Sequence, residues 1–423
     1  MSVRLRHVAA INPSTPEFEL VPDTAELPFL PLEAVWPGDR LDTTRRQPKA
    51  AVSSGYTRFR EGDILLPKIT PTFQADRTVI AIGLEGGVGA GTTELHVVRA
   101  GSDADVRYLC YLLSSKKFLD EGEASMIGVA GQKRVPDDCL RDLPVPVVDL
   151  RRQRAIADYL DRETARIDAL IAKKRRMIEL LEEQTHAWSV RLVLGDLGGT
   201  KGSTSPSGLY RVVPDGWKET ALRHLHCSVQ TGPFGSQLHA EEYVEGGWPV
   251  VNPMNLVEGE ISAVETMTVS DQKRTELARH ILAPGDIVFG RRGQMGRAGL
   301  AEEAHRGWLC GTGSLRLRLR TTLITPTYLK LLLETPVARA YFELASVGST
   351  MDNLNSEIVL ALPTLVPPIA TQDRIVEDVH ARRETTEALR GRLERQIGLL
   401  QEHRQALITA AVTGELEIPG VAA

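Results

Sequence analysis

The chain has 423 residues, with 50 Lys and Arg against 55 Asp and Glu, a formal charge of −5 and a pI near 6.1. Its 42% hydrophobic and 25% charged residues suit a folded protein of two or three domains. A uniformly basic nucleic-acid coat is excluded, although local basic patches are not, and 5% aromatic residues make a poor platform for stacking single strands. The four cysteines (Cys110, Cys139, Cys227, Cys310) have no metal or redox spacing and read as reduced thiols. No apolar run approaches the roughly 20 residues of a membrane helix, and Met1–His7 lacks the apolar stretch of a signal peptide. The expected location is the cytoplasm.

Residues 1–148 read as a mixed α/β globular domain. Short β-like runs at Thr78–Ile82 and Leu95–Val98 lie between Gly and Pro, and Tyr108-Leu109 opens a short apolar helix. The Gly-rich run Gly83–Thr92 lacks the Gly-Lys-Ser/Thr ending of a phosphate loop and reads as a lead into a strand. The phrase Leu143-Pro-Val-Pro146 then announces a helix, because proline tolerates only a helix's first turn. Helix is predicted over 149–197. Ile156, Leu160, Ile167, Leu170/Ile171, Met177/Ile178, Leu181, Trp188 and Leu192 form one apolar stripe without Pro or Gly between Arg151 and Leu194. About 44 helical residues span roughly 66 Å. The basic run Lys173–Arg176 lies mid-helix and reads equally as a solvated face, a partner contact or a phosphate contact. A Gly/Ser/Thr-rich linker, 198–208, leads to a second globular domain, 209–367.

In that domain Leu315, Leu317 and Leu319 alternate with Arg316, Arg318 and Arg320, a half-buried strand with a basic outer face. The pattern His224-Leu-His226-Cys227 lacks further metal ligands. A second helix is predicted over 368–416, with Ile375, Val379, Leu389, Leu393, Ile397, Leu400, Leu407 and Ala411 as its stripe, before a tail of 417–423.

The chain is one plan used twice. Leu143–Leu197 laid over Leu362–Leu416 without a gap gives 16 identities in 55 positions, where composition predicts roughly three or four. Upstream, Gly62-Asp63-Ile64-Leu65 pairs with Gly285-Asp286-Ile287-Val288, Tyr108-Leu109 with Tyr328-Leu329, and Leu5-Arg6-His7 with Leu222-Arg223-His224. A long helix with a single apolar stripe needs a partner. The other copy is the obvious one, and antiparallel pairing is the preferred arrangement. The expected fold is two globular domains separated by two long antiparallel helices, with a pseudo-twofold internal repeat.

This arrangement resembles the specificity subunit of type I restriction-modification systems, over nearly the whole chain. The resemblance rests on the stretch Leu143–Asp161 and its partner Leu362–Ile375, on Thr231-Gly-Pro-Phe-Gly-Ser-Gln-Leu238, and on the closing Val-Thr-Gly-Glu-Leu. Two departures stand out. Arg152-Gln153 and Thr371-Gln372 occupy positions where the family often has Glu-Gln, and the first half lacks a clear Thr-Gly-Pro-Phe-Gly-Ser loop. The resemblance implies that each globular domain is a target-recognition domain reading half of a split DNA site. The helices would fix the gap and dock two modification subunits, which transfer methyl groups from S-adenosylmethionine to adenine N6. Motor endonuclease subunits join in some systems. The chain itself would carry no catalytic residue, cofactor or metal.

Candidate DNA contacts follow from local basic and glycine-rich segments. Phe289–Leu300 carries Arg291, Arg292, Gln294 and Arg297 among four glycines, side chains suited to phosphates and purine edges. Its counterpart Leu66–Arg77 carries Lys68, Gln74 and Arg77. Gln132, Lys133 and Arg134 form a second basic loop, matched by a segment with Ser349 and Thr350. Gly232, Phe234, Gly235 and Ser236 form either a phosphate-contacting loop or a structural turn with a buried Phe. Asn252-Pro-Met-Asn255 falls short of the Asn-Pro-Pro-aromatic motif of amino-methyltransferases. Two other readings are a self-contained DNA-modifying enzyme and a coiled-coil adaptor without a DNA role.

Overall fold

In the computed structural model, residues 2–36, 40–129, 131–234, 237–257, 259–264, 266–293, 295–346 and 354–418 are described. The long helices run Leu150–Val193 and Ile369–Thr413, a few residues shorter at their C-terminal ends than the sequence pattern predicts. The chain divides into two units that are not contiguous in sequence. Unit 1 holds residues 1–176 and 392–423, and unit 2 holds 177–391. Each unit thus contains one globular domain, the start of the helix that leaves it and the end of the other long helix.

Within each unit the helix segments run antiparallel. In unit 1, Asp168 meets Arg404 at 3.1 Å and Lys174 donates to Gln396 at 2.6 Å, so one number rises as the other falls. In unit 2, Glu182 faces Arg390 at 3.6 Å and Thr185 bonds Thr386 at 2.7 Å. The apolar stripe is thinner than its pattern suggests. Ile167, Ile171 and Ile397 are buried, but Leu170, Met177 and Leu389 are among the exposed hydrophobics.

The globular parts repeat one sheet order. In unit 1, Leu95–Ala100 lies between Ala9–Ile11 and Ile64–Pro67, and Val79–Ile80 completes the sheet, all antiparallel. In unit 2, Ser314–Leu319 lies between Cys227–Thr231 and Ile287–Gly290, followed by Ala298–Leu300. Val88–Gly91 is itself a strand, parallel to Glu26–Leu30, and Leu309–Cys310 runs parallel to Trp248–Val251 in the same way.

The Gly-Asp-Ile repeat has a structural cause. Asp63 and Asp286 are buried, and each takes a fork of arginine bonds: Arg99 at 2.7 and 2.8 Å, and Arg318 at 2.7 and 2.6 Å. Each also accepts a backbone N–H, from Arg60 at 2.9 Å or Ala283 at 2.8 Å. A buried carboxylate is tolerable only with such pairing. This corrects the expected basic outer face of Ser314–Leu319. Arg316 is buried and donates to the carbonyls of Arg279 and Ile281 at 3.0 and 2.8 Å, and Arg318 serves Asp286; Arg320 alone of the three is exposed.

A buried glutamine locks each globular part to its outgoing helix. Gln153 accepts the Asp105 N–H at 2.8 Å and donates to the carbonyls of Asp103 and Val148 at 3.1 and 2.8 Å. Gln372 accepts the Thr325 N–H at 2.8 Å and donates to Leu323 and Pro367, both at 2.8 Å. The incoming helix end is tied by a buried tyrosine. Tyr108 donates to the Val412 carbonyl at 3.3 Å, and Tyr328 to that of Val193 at 3.1 Å. A Gln372→Leu variant strands three backbone groups, each costing roughly 1–3 kcal/mol when buried unpaired. Unit 2 should lose about 3 kcal/mol or more, read as a lowered melting temperature and faster amide exchange in Pro326–Leu333.

Candidate nucleic-acid interface

The two sheets place equivalent residues by register. Ile64 pairs with Ile80 and Ile287 with Leu300, so Lys68 corresponds to Arg291, Arg77 to Arg297, and Asp76 to Gly296. The backbone around the first pair is the same in both copies. The Lys68 N–H donates to the Glu94 carbonyl and its carbonyl accepts from Val135, at 2.9 and 2.8 Å. The Arg291 N–H donates to Gly313 and its carbonyl accepts from Leu354, at 2.9 and 3.0 Å. A strand end is thus clamped between two loops, and it carries a cation in each copy.

In unit 1 the clamp joins two segments that are distant in sequence. Thr70 N–H donates to the Lys133 carbonyl at 3.0 Å, and Lys133 N–H to Thr70 Oγ1 at 3.3 Å. Ile127 and Arg134 form an antiparallel bridge that closes a small hairpin. Lys68 is half-buried, while Gln132 and Lys133 are exposed beside it. Arg134 is committed elsewhere. It grips Glu94 through two bonds of 2.8 Å and holds that carboxyl below the usual carboxylate range. The Gln74 amide donates to Glu123 at 2.5 Å. Arg77 is half-buried at the start of the return strand.

In unit 2, Arg292 is exposed, Arg291 Nε donates to the Leu354 carbonyl at 3.2 Å, and Arg297 donates to that of Pro253 at 3.4 Å. Phe234 is 58% exposed, so the reading of a turn with a buried Phe does not describe it. The Gly232 N–H donates to the Ser314 carbonyl at 2.9 Å, which brings this loop to the same turn that clamps Arg291. A Cβ on Gly232 would stand 1.7 Å from the Gly311 oxygen. Gly235, Ser236, Gln294, Ser349 and Thr350 lie outside the described residues. Asn252-Pro-Met-Asn255 is a capped single turn, in which Asn255 Oδ1 accepts the Asn252 N–H at 2.8 Å. His224 lies within the short turn Leu222–Leu225 and His226 caps it, so they do not share a strand face.

Several buried or cavity-lining charged side chains escape sequence reasoning. Asp76 adopts φ +47 where the other copy has Gly296 at φ +77. Its Oδ1 is shut off from solvent without a hydrogen-bond partner, and burial pushes its pKa from 3.8 up to about 6. Arg339 and Arg383 line a cavity with Arg297. The register match of Asp76 with Gly296 was the available signal, but it appears only once the strands are paired.

The chain was compared with known proteins. No family model matches it. It is 25% identical to the specificity subunit of the type I restriction enzyme EcoEI of Escherichia coli, over 93% of this chain and 79% of that one. It is 38% identical to the EcoAI specificity subunit of E. coli over 36% of this chain and 26% of that one. Among solved structures, the HsdS subunit from Thermoanaerobacter tengcongensis matches with a TM-score of 0.52 and 18% identity, over 98% and 97% of the two chains. A chain from work on type I R-M complex assembly matches with a TM-score of 0.67 and 17% identity, over 98% of both. These two structures share the fold of this chain, two mixed α/β parts with long helices. Over most of its length the chain is therefore similar to specificity subunits of type I restriction enzymes, and it shares its fold with an HsdS subunit.

Two variants probe this geometry. Gly232→Ala drives a side chain into backbone and should destabilise unit 2 by about 2 kcal/mol or more, read by thermal melting. Asp76→Gly should stabilise unit 1 by about 1 kcal/mol, because it removes a left-handed non-glycine residue. Between pH 3.8 and about 6 the folded chain holds a proton that the unfolded chain has released. Stability therefore falls as pH rises through this window. The gain in melting temperature from Asp76→Gly should be larger at neutral pH than near pH ~4.

Proposed function

We propose that the chain is the DNA-sequence-specificity subunit of a type I restriction-modification complex. Each globular domain reads one half of a split duplex site. The helical segments dock two adenine-N6 methyltransferase subunits, which bring S-adenosylmethionine and the chemistry, and motor endonuclease subunits where the system restricts. The chain supplies recognition and spacing and no catalytic group of its own.

The repeated clamp carries this reading. One backbone frame occurs twice and presents Lys68 in one copy and Arg291 in the other. Invariant backbone with changed side chains is what a reader of two different half-sites requires, since base-edge contacts specify and phosphate contacts position. The acidic total charge fits a subunit that binds DNA firmly only when its partners complete the contact surface.

The test is a methylome. N6-methyladenine in a split motif should vanish when the gene is deleted, and replacing residues 1–142 with those of a homologue should change one half of the motif alone. Methylation that survives deletion would refute the proposal. In the assembled complex, Lys133→Ala should weaken binding to all duplexes alike and reduce the salt slope by about one.

A further inference from the structure

Each unit has a cavity at the same place in its plan, between the return strand of the sheet, the short apolar helix and the long-helix segments. The unit 1 cavity, of about 400 Å³, is lined by Asp76, Asp161, Asp168, Arg107 and Arg404. The unit 2 cavity, of about 360 Å³, is lined by Arg297, Arg339, Arg383, His186, Glu334 and Gly296. The equivalence follows from register and repeat. Asp76 matches Gly296, Ser114 matches Glu334 through the Tyr108–Tyr328 pairing, and Thr164 matches Arg383 at the helix shift of 219. The charge is reversed between them. Among the described lining residues, unit 1 has three aspartates against two arginines, and unit 2 has three arginines against one glutamate.

In unit 1 the arginines are matched by acids. Arg107 bonds Asp158 and Asp161 at 2.8 and 2.6 Å, and Arg404 lies 3.1 Å from Asp168. In unit 2 the lone carboxylate is shared by two cations. Glu334 sits 3.1 Å from Lys330 and 2.9 Å from Arg383. That contact orients the Arg383 guanidinium at the cavity wall. Glycine at 296 suits the positive φ of +77 there, and a Cβ would stand 2.9 Å from the buried Phe342 ring. Arginines that line one cavity from three elements supply the kind of donors that suit the oxygens of a tetrahedral oxyanion. A cavity with this excess of positive charge concentrates anions.

We infer that the unit 2 cavity is a phosphate-binding site, made by Arg297, Arg339 and Arg383, for which unit 1 has no counterpart. A duplex phosphodiester is the source that the surroundings favour, because Arg297 follows Arg291 and Arg292 on one strand-turn-strand. This rests on the DNA-reading function proposed above. The two halves would then differ in grip as well as in sequence preference, with unit 2 holding the DNA backbone more strongly.

The test uses the complex assembled with its methyltransferase subunits, with Arg339→Ala and Arg339→Lys. Arg339 is exposed on the helix Pro336–Ser346, so both variants should fold. For Arg339→Ala the expected result is a salt slope of DNA binding lower by about one, equal for target and non-target duplexes, with Arg339→Lys largely restoring it. An unchanged slope, or a loss confined to the target sequence, overturns the duplex as the source. Inorganic phosphate supplies the second arm. If it raises the wild-type melting temperature and not that of Arg339→Ala, while DNA slopes agree, the site takes free phosphate. If neither readout moves, there is no phosphate site. A wild-type complex that binds no specific duplex refutes the DNA-reading function instead, and the phosphate arm still reports on the cavity.

Discussion

Everything in each unit hangs on one buried amide. Gln153 and Gln372 each satisfy three backbone groups, one at the cap of the short apolar helix, one just before that cap and one where the Pro-rich segment turns into the long helix. These groups lie where chain direction changes and regular pairing is impossible. Left alone they would be buried donors and acceptors without partners, each expensive. A single side chain with one acceptor and two donors answers all three. The angle at which a long helix leaves its globular part is therefore set by hydrogen-bond geometry rather than by apolar contact alone.

Around that joint the two copies keep their frame and vary their contents. The buried Asp–Arg forks, the tyrosine-to-carbonyl ties and the clamped strand ends recur bond for bond. Lys68 becomes Arg291, Asp76 becomes Gly296 and the cavity charge reverses. The frame forms with either side chain, because the bonds that clamp Lys68 and Arg291 are made by their backbone groups.

Much of this plan is legible in sequence. The repeat, the Pro-rich helix starts and the apolar stripe are short-range or self-matching signals, and they place both long helices within a few residues of where they lie. The glutamines show as identities in the repeat, but nothing local reveals what they bind. The arginines of Ser314–Leu319 mislead because alternation reports the side of a strand and not what covers it. A second layer offers carbonyls and Asp286 to Arg316 and Arg318, so a polar face is buried. Arg134 looks like a free cation in sequence, because its partner Glu94 lies 40 residues away. Lys68 and Lys133 meet only through the clamp.

The make-up of unit 1 bears on how the protein comes into being on the ribosome. Its core includes Ile408, Ala411 and Val412 beside Leu5, Tyr108 and Ile156. The first globular part is synthesised early but finds its last packing surface only when the end of the second long helix has emerged. Contacts that span most of the chain close late and slowly. During that interval the sides of Tyr108 and Leu112 destined for the helix lie open. Unit 2 draws on an unbroken stretch, 177–391, and has all its parts before synthesis ends. The part that comes earlier in sequence is thus the one completed later, and damage at residues 408–412 falls on the first globular part.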